Sequence, residues 1–314
     1  MTPLRPIPKP ATQSSARPLT AVELTPEGAL AGAISAHGQP PVYAFASLPA
    51  GAIVPGIGEP NLRMAEAVAE ALRSVLDQVG PRKRFITLVV PDTAARVFML
   101  DFDTLPAKPV EAIPVLRFRL RKMVPFEVEH AAVSYQVLPQ NRGSNADDAP
   151  SASVKVLVTV MPGQILAEYE AAVRAAGYEP GAVLPSSLSA LAAVESMEAV
   201  LAANLSTLAL TTTITSGEDL LLYRTIELPM DDIGRVAEVQ RSVAVAAAYF
   251  EDKLHARPTK LHYAGVVPSS EFALAIREAE LEVIEVAPLP ATGATTAIGP
   301  IGFAGITGAL AGVA

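Results

Sequence analysis

Residues 88–102 read Leu-Val-Val-Pro-Asp-Thr-Ala-Ala-Arg-Val-Phe-Met-Leu-Asp-Phe. The apolar run 85–90 that ends in this stretch has the character of a buried central strand, and 94–102 predicts a second strand. Beyond it, 109–123 predicts a helix with Ile113, Leu116, Leu120 and Met123 on one face. Pro114 lies inside that helix, so it starts late or kinks. Segments 133–138 and 154–161 predict strands joined by a polar, mobile loop at 140–153. A helix at 164–176 is closed by Gly177, and 182–184 is a further strand. Strand, helix, strand, strand, helix, strand is a split βαβ order.

Working outward, 19–24, 29–34 and 43–48 predict a meander that turns at Pro26-Glu27-Gly28. Met64, Ala67, Val68, Ala71, Leu72, Val75, Leu76 and Val79 follow helical spacing, with Asn61 as a cap and Gly80-Pro81 as the stop. On the other side, 186–201 predicts a helix, and 207–213 and 220–228 a hairpin turning at Ser216-Gly217-Glu218-Asp219. A long helix follows at 233–254, then a strand at 260–263, a helix at 270–280, a strand at 281–286 and a last helix at 303–313. Strands and helices mix throughout, so the class is α/β or α+β.

Composition narrows the chemistry. Of 314 residues half are hydrophobic and 18% charged; cysteine and tryptophan are absent and the net charge is −8. These values exclude a disulfide scaffold, a cysteine-ligated metal site and a thiol nucleophile. They also argue against nucleic-acid binding, which calls for a basic face. The Pro- and Ser-rich residues 1–18 lack the apolar core of a signal peptide and read as a disordered tail. Residues 287–314 carry no charge. Their Gly, Ala and Pro content points to a turn and a short buried helix rather than a membrane span.

Candidate catalytic groups are few. His37, His130, His255 and His262 are scattered, so no metal site is expected. There is no P-loop and no nucleophile elbow. Pro55-Gly56-Ile57-Gly58 reads as a plain loop, Asp101 and Asp103 as a solvated strand end. Asn204-Leu205-Ser206 fits a glycosylation pattern that has no meaning in a cytoplasmic protein. Arg117, Arg119, Arg121 and Lys122 share one helix, and Arg82, Lys83 and Arg84 precede a strand. Two readings stand: a surface for anionic lipid or an acidic segment, or a solvated face paired with Glu111, Glu127 and Glu129.

Val89 to Val97, Leu116-Arg117-Phe118-Arg119, Lys122-Met123-Val124-Pro125-Phe126 and Val133-Ser134-Tyr135-Gln136-Val137-Leu138 occur in an order that resembles the PilM family of type IV pilus assembly proteins. Glu168-Tyr169, Ala175-Ala176-Gly177-Tyr178 and the helix from Gln240-Arg241-Ser242 to Tyr249-Phe250-Glu251 continue the likeness. It is specific over 88–177 and looser across 19–289. The resemblance implies an actin-like, ribonuclease H-like two-lobed α/β fold related to FtsA, with an inserted subdomain. It implies a cytoplasmic protein peripheral to the inner membrane that binds the N-terminal tail of PilN in a groove beside the insertion. The expected boundaries are a tail at 1–18, a first lobe at 19–102, a split βαβ insertion at 103–180 and a second lobe at 181–314.

Actin-like ATPases hold phosphate with two Asp-x-Gly turns, and this chain departs from both. The first position carries Val22-Glu23-Leu24-Thr25. The second, sought within 208–217, offers only Thr211, Thr212 and Thr213. The adenosine turn is reduced to Tyr263-Ala264-Gly265-Val266, and Leu228 leads almost at once into the long helix, so the lid subdomain is reduced or absent. Glu23, Thr25 and Gly265 are therefore degenerate nucleotide positions, and the expectation is a pseudo-ATPase without ATP or magnesium. The alternative is an actin-like ATP-binding switch of pilus or type II secretion machinery. Leu116, Leu120 and Phe126, rimmed by Arg117 and Arg121, are the candidate partner groove; the same spacing equally suits ordinary core residues. Expected partners are a PilN-like tail, other platform proteins and a second copy of the chain.

Overall fold

The computed structural model describes residues 18–34, 41–139, 153–194, 196, 198–286 and 304–311. The expectations for the tail at 1–17, the loop at 140–152 and the Gly-rich turn at 287–303 lie outside the described residues.

β1 (Thr20–Leu24), β2 (Gly28–Ala33) and β3 (Val42–Ser47) form an antiparallel meander. α1 (Ala65–Val79) packs on it through Val68, Leu72, Val75 and Leu76. Gly80 ends the helix with φ 61°, a conformation glycine adopts without steric penalty. β4 (Phe85–Val90) then joins β1 in parallel.

An insertion follows. β5 (Arg96–Phe102), α2 (Pro109–Leu120), β6 (Ala131–Val137) and β7 (Val154–Pro162) make a three-stranded antiparallel sheet of order β5-β7-β6, with α2 on one face. Pro109 occupies the first turn of α2, and the helix runs through Pro114 instead of starting after it. The chain returns through α3 (Gly163–Ala175) and β8 (Glu179–Pro185), which is parallel to β4. The first sheet therefore has the order β3-β2-β1-β4-β8.

This corrects the expected boundaries. β5 belongs to the insertion rather than to the first lobe. α3 and β8 belong to the first lobe: Ile165, Tyr169 and Val173 sit in its core. The insertion is the segment 96–162. A six-element order cannot show which sheet its last strand joins, and here β4 offers a free edge inside the larger sheet.

α4 (Ser186–Ala190) leads to the second lobe. It consists of β9 (Ala199–Leu205), β10 (Ala209–Ser216), β11 (Asp219–Glu227), α5 (Asp232–Leu254), β12 (Lys260–Gly265), α6 (Ser269–Ala275) and β13 (Glu282–Glu285). Its sheet order, β11-β10-β9-β12-β13, repeats that of the first lobe strand for strand. The predicted helix at 186–201 is thus wrong beyond α4. Ala199-Val200-Leu201-Ala202-Ala203 has high helix propensity, yet it forms the central strand of the sheet because β10 and β12 pair both of its edges. Asp231 caps α5, accepting from the Gly234 N–H at 2.7 Å.

α7 (Ala304–Ala311) closes the chain against α4, β1 and β2. With α1 on one face of β2 and α7 on the other, all six residues of Gly-Ala-Leu-Ala-Gly-Ala are buried. Small side chains are what this sandwich admits. Gly308 marks the tightest approach: a Cβ there would lie 1.9 Å from the Ser189 carbonyl oxygen. Only residues 228–231 separate β11 from α5, so no lid subdomain stands between them. The second lobe meets the insertion instead. Leu138 and Leu157 pack with Leu220 and Tyr223, and Arg96 pairs with Glu227 at 2.6 Å.

Candidate functional site: the interlobe cleft

The two lobes face each other through matching parts. The β1–β2 turn, Thr25-Pro26-Glu27-Gly28, and the β9–β10 turn, Ser206-Thr207-Leu208-Ala209, line one cavity with Asp92, Ser186, Asn204 and Val266. Aligning the strands makes Glu23 the counterpart of Asn204 and Thr25 that of Ser206. The second phosphate-turn position is therefore Asn204-Leu205-Ser206. Thr211, Thr212 and Thr213, the expected location, lie within β10, where Thr211 bonds Thr225 across the ladder at 2.8 Å.

The two turns are built alike. Thr25 Oγ1 accepts from the N–H groups of Glu27 (3.3 Å) and Gly28 (3.2 Å). Ser206 Oγ accepts from the N–H groups of Leu208 (3.4 Å) and Ala209 (2.9 Å). Ser and Thr hydroxyls often satisfy turn amides in this way. A backbone nest holds an anion only with N–H groups that point outward and are free. In each turn the chain's own hydroxyl has taken two of those donors. A Thr207 hydroxyl bond to Glu27 Oε1 then ties one turn to the other.

The cavity floor is acidic. Ser186 Oγ donates to Glu23 Oε1 at 2.5 Å, while Glu23 Oε2 is buried with no hydrogen-bond partner. Asp92 accepts from the Ser187 N–H (3.0 Å) and hydroxyl (2.6 Å), and Asn204 Nδ2 donates to Ser187 Oγ at 2.8 Å. Burial pushes the Glu23 carboxyl from 4.5 to about 7 against the Ser186 hydrogen bond, with a further rise from the nearby Asp92 charge. Burial likewise raises Asp92 from 3.8 to about 6, opposed by Ser187. Both shifts carry the signature of desolvated carboxyls. Gly305 of α7 abuts this floor, since a Cβ there would lie 2.6 Å from Glu23 Oε2.

The remaining space is about 50 Å³, room for a few waters and far below the roughly 300 Å³ at which ligand pockets begin. Self-bonded amides, buried carboxyls and this volume do not fit a nucleoside triphosphate. Gly265 is packed too: a Cβ would meet Tyr263 Oη at 2.3 Å, and that hydroxyl donates to the Val267 carbonyl at 2.9 Å. Asn61 is not a helix cap. Its side chain bonds both the N–H and the carbonyl of Gly56, at 2.6 and 3.0 Å, and so pins the Pro55–Gly58 loop. Among the described residues no cluster of three or more His, Asp or Glu side chains converges as a metal site.

The candidate partner groove is filled. Leu116 and Leu120 are fully buried against Val156, Val158 and Val160, and Phe126 packs beside them. The Arg117 guanidinium donates to the carbonyls of Val128, Glu129 (3.0 Å) and Ala131 (2.8 Å), holding the turn before β6. Arg121 pairs with Glu129. These are structural contacts, because the apolar face of α2 is what closes the insertion's core. A different groove, unmarked by the sequence reading, lies between α1 and α3. It has a volume of about 780 Å³ and is lined by Ala65, Ala69, Ala172 and Ala175, of which Ala69 and Ala172 are buried. Arg73 donates to the Ala175 carbonyl at 2.8 Å, bridging the two helices. The helical spacing of alanines on α1 was its only sequence signal.

Two copies of one βββαβαβ unit, facing across a cleft, define an actin-like two-lobed protein. Two solved structures share this fold over nearly the whole chain. A PilM–PilN type IV pilus biogenesis complex aligns with a TM-score of 0.67 at 17% identity, covering 95% of this chain and 99% of that one. The cytoplasmic domain of EpsL, an inner-membrane component of the type II secretion system of Vibrio cholerae, aligns with a TM-score of 0.51 at 14% identity, covering 93% and 94%. No protein-family model and no curated protein matches the sequence. Among the described residues no helix is long and apolar enough to cross a membrane.

Proposed function

We propose that this chain is a non-catalytic, cytoplasmic scaffold of a type IV pilus or type II secretion inner-membrane platform, and that it binds the N-terminal tail of a PilN-like membrane protein. The observation that carries the pseudo-ATPase part is the pair of turns whose amides are satisfied by Thr25 and Ser206. The fold shared with a PilM–PilN complex supports the assignment to such a platform. For the tail, the α1–α3 groove supplies the concave surface that the buried Leu116 and Leu120 do not. Its rim carries Glu66 and Glu70, four apart on α1 and without a cationic partner among the described residues. Like charges at that spacing repel, and the cytoplasmic flank of a membrane span is enriched in Lys and Arg, so a basic tail relieves them.

Titration of the chain with the cytoplasmic tail of its co-encoded bitopic membrane protein tests this reading. Micromolar binding that Ala65→Arg, at an exposed position of the groove, abolishes with the melting temperature kept is the expected result. Absence of binding at high micromolar tail would count against it.

A further inference from the structure

We propose that the outer face of α2 is a surface that seats this chain on an anionic lipid bilayer. α2 buries Ala112, Leu116 and Leu120 on the insertion's sheet. Its opposite side carries large apolar groups left uncovered among the described residues: Val110 is 77% exposed and Phe118 70%, with Val115 partly exposed beside them. A helix on the surface of a globular domain ordinarily turns polar residues outward, so this face departs from the rule at its centre.

The charges around Phe118 complete the pattern. Arg119 and Lys122 are exposed and form no ion pair among the described residues, while Glu111 on the same side is paired with Lys108 at 3.8 Å. They stand on a chain of net charge −8, which makes a basic spot a local exception. Apolar side chains protruding among unpaired cations are the composition of interfacial helices, where rings and branched chains enter the headgroup boundary and cations meet anionic lipid.

Shape favours a bilayer over an acidic protein segment. α2 lines neither the interlobe cavity nor the α1–α3 groove. A side chain that stands out as Phe118 does, 70% exposed, requires a protein partner to provide a pocket, whereas a fluid interface needs no preformed complement. The inference is independent of the tail-binding reading, since it uses neither the α1–α3 groove nor the cleft.

The test is co-sedimentation of the whole chain with vesicles of phosphatidylcholine and phosphatidylglycerol, against pure phosphatidylcholine. Binding to the anionic vesicles, weakened by salt, is expected. Arg119→Gln with Lys122→Gln should lower the partition coefficient by roughly 25-fold, about fivefold per cation. Phe118→Ser should lower it further while leaving the melting temperature unchanged, because the ring is outside the core. Equal partitioning onto neutral vesicles, or anionic binding that neither variant weakens, would overturn the proposal. So would absence of vesicle binding, including the case in which an acidic peptide binds this face instead.

Discussion

Glu23 makes a quantitative prediction. Its carboxyl is raised from 4.5 to about 7, mainly by burial. At 1.36 kcal/mol per tenfold change in proton affinity, ionising it in the fold costs about 3 kcal/mol more than in the unfolded chain. The folded state therefore keeps a proton that the unfolded chain has released. This contribution to stability is fully present below about pH 4.5 and is lost as pH rises to about 7. Asp92, raised from 3.8 to about 6, acts in the same direction over an overlapping window. Because the Asp92 charge is itself one cause of the Glu23 shift, the two do not simply add. Glu23→Gln removes one titration. Its amide retains an oxygen to accept from Ser186 but places an unpaired donor where Oε2 was, so the variant starts somewhat less stable in acid. Between about pH 5 and pH 8 the stability difference should swing by about 3 kcal/mol in favour of the variant. Urea denaturation at a series of pH values reads this directly. Parallel profiles for the two proteins would mean that Glu23 titrates normally, and that the cleft floor is open to water.

Three further outcomes follow from packing. Gly308→Ala forces a methyl onto the Ser189 carbonyl and should cost about 2 kcal/mol or more despite alanine's better helix propensity, seen as a lower melting temperature. Leu116→Ala opens the insertion's core and should cost about 2–5 kcal/mol; a folded variant of unchanged stability with lost tail affinity would instead make Leu116 a groove residue. Arg117→Ala leaves the Val128, Glu129 and Ala131 carbonyls without their donor and should speed amide exchange in the turn before β6, with little change in tail affinity.

Much of this architecture was readable because burial imposes periodicity. α1 announced itself through its apolar spacing and Gly80, and α3 through Gly177. What failed has common physical causes. Ala199–Leu205 is helical by propensity, and only its two strand neighbours make it a strand. The duplicated sheet order was not visible along the chain, so the second turn was sought at Thr211–Thr213 while its true counterpart, Asn204-Leu205-Ser206, looked like a glycosylation pattern. The helical spacing of Leu116 and Leu120 identified a buried face but could not say whether a partner or the chain's own sheet covers it. Glu23 and Thr25 were legible as departures from Asp-x-Gly. That the Thr25 hydroxyl takes the turn's own amides required the structure.

The proposed loss of nucleotide binding rests on turn hydroxyls that take backbone amides of the cleft. Thermal unfolding with and without millimolar Mg-ATP tests it most directly. A ligand present at a hundred times its dissociation constant stabilises by about 2.7 kcal/mol, a shift of several degrees for a domain of this size. An unmoved melting temperature is expected for the native chain. A saturable rise with Mg-ATP would show that the turn amides and the cleft remain open to a nucleotide, and would contradict it.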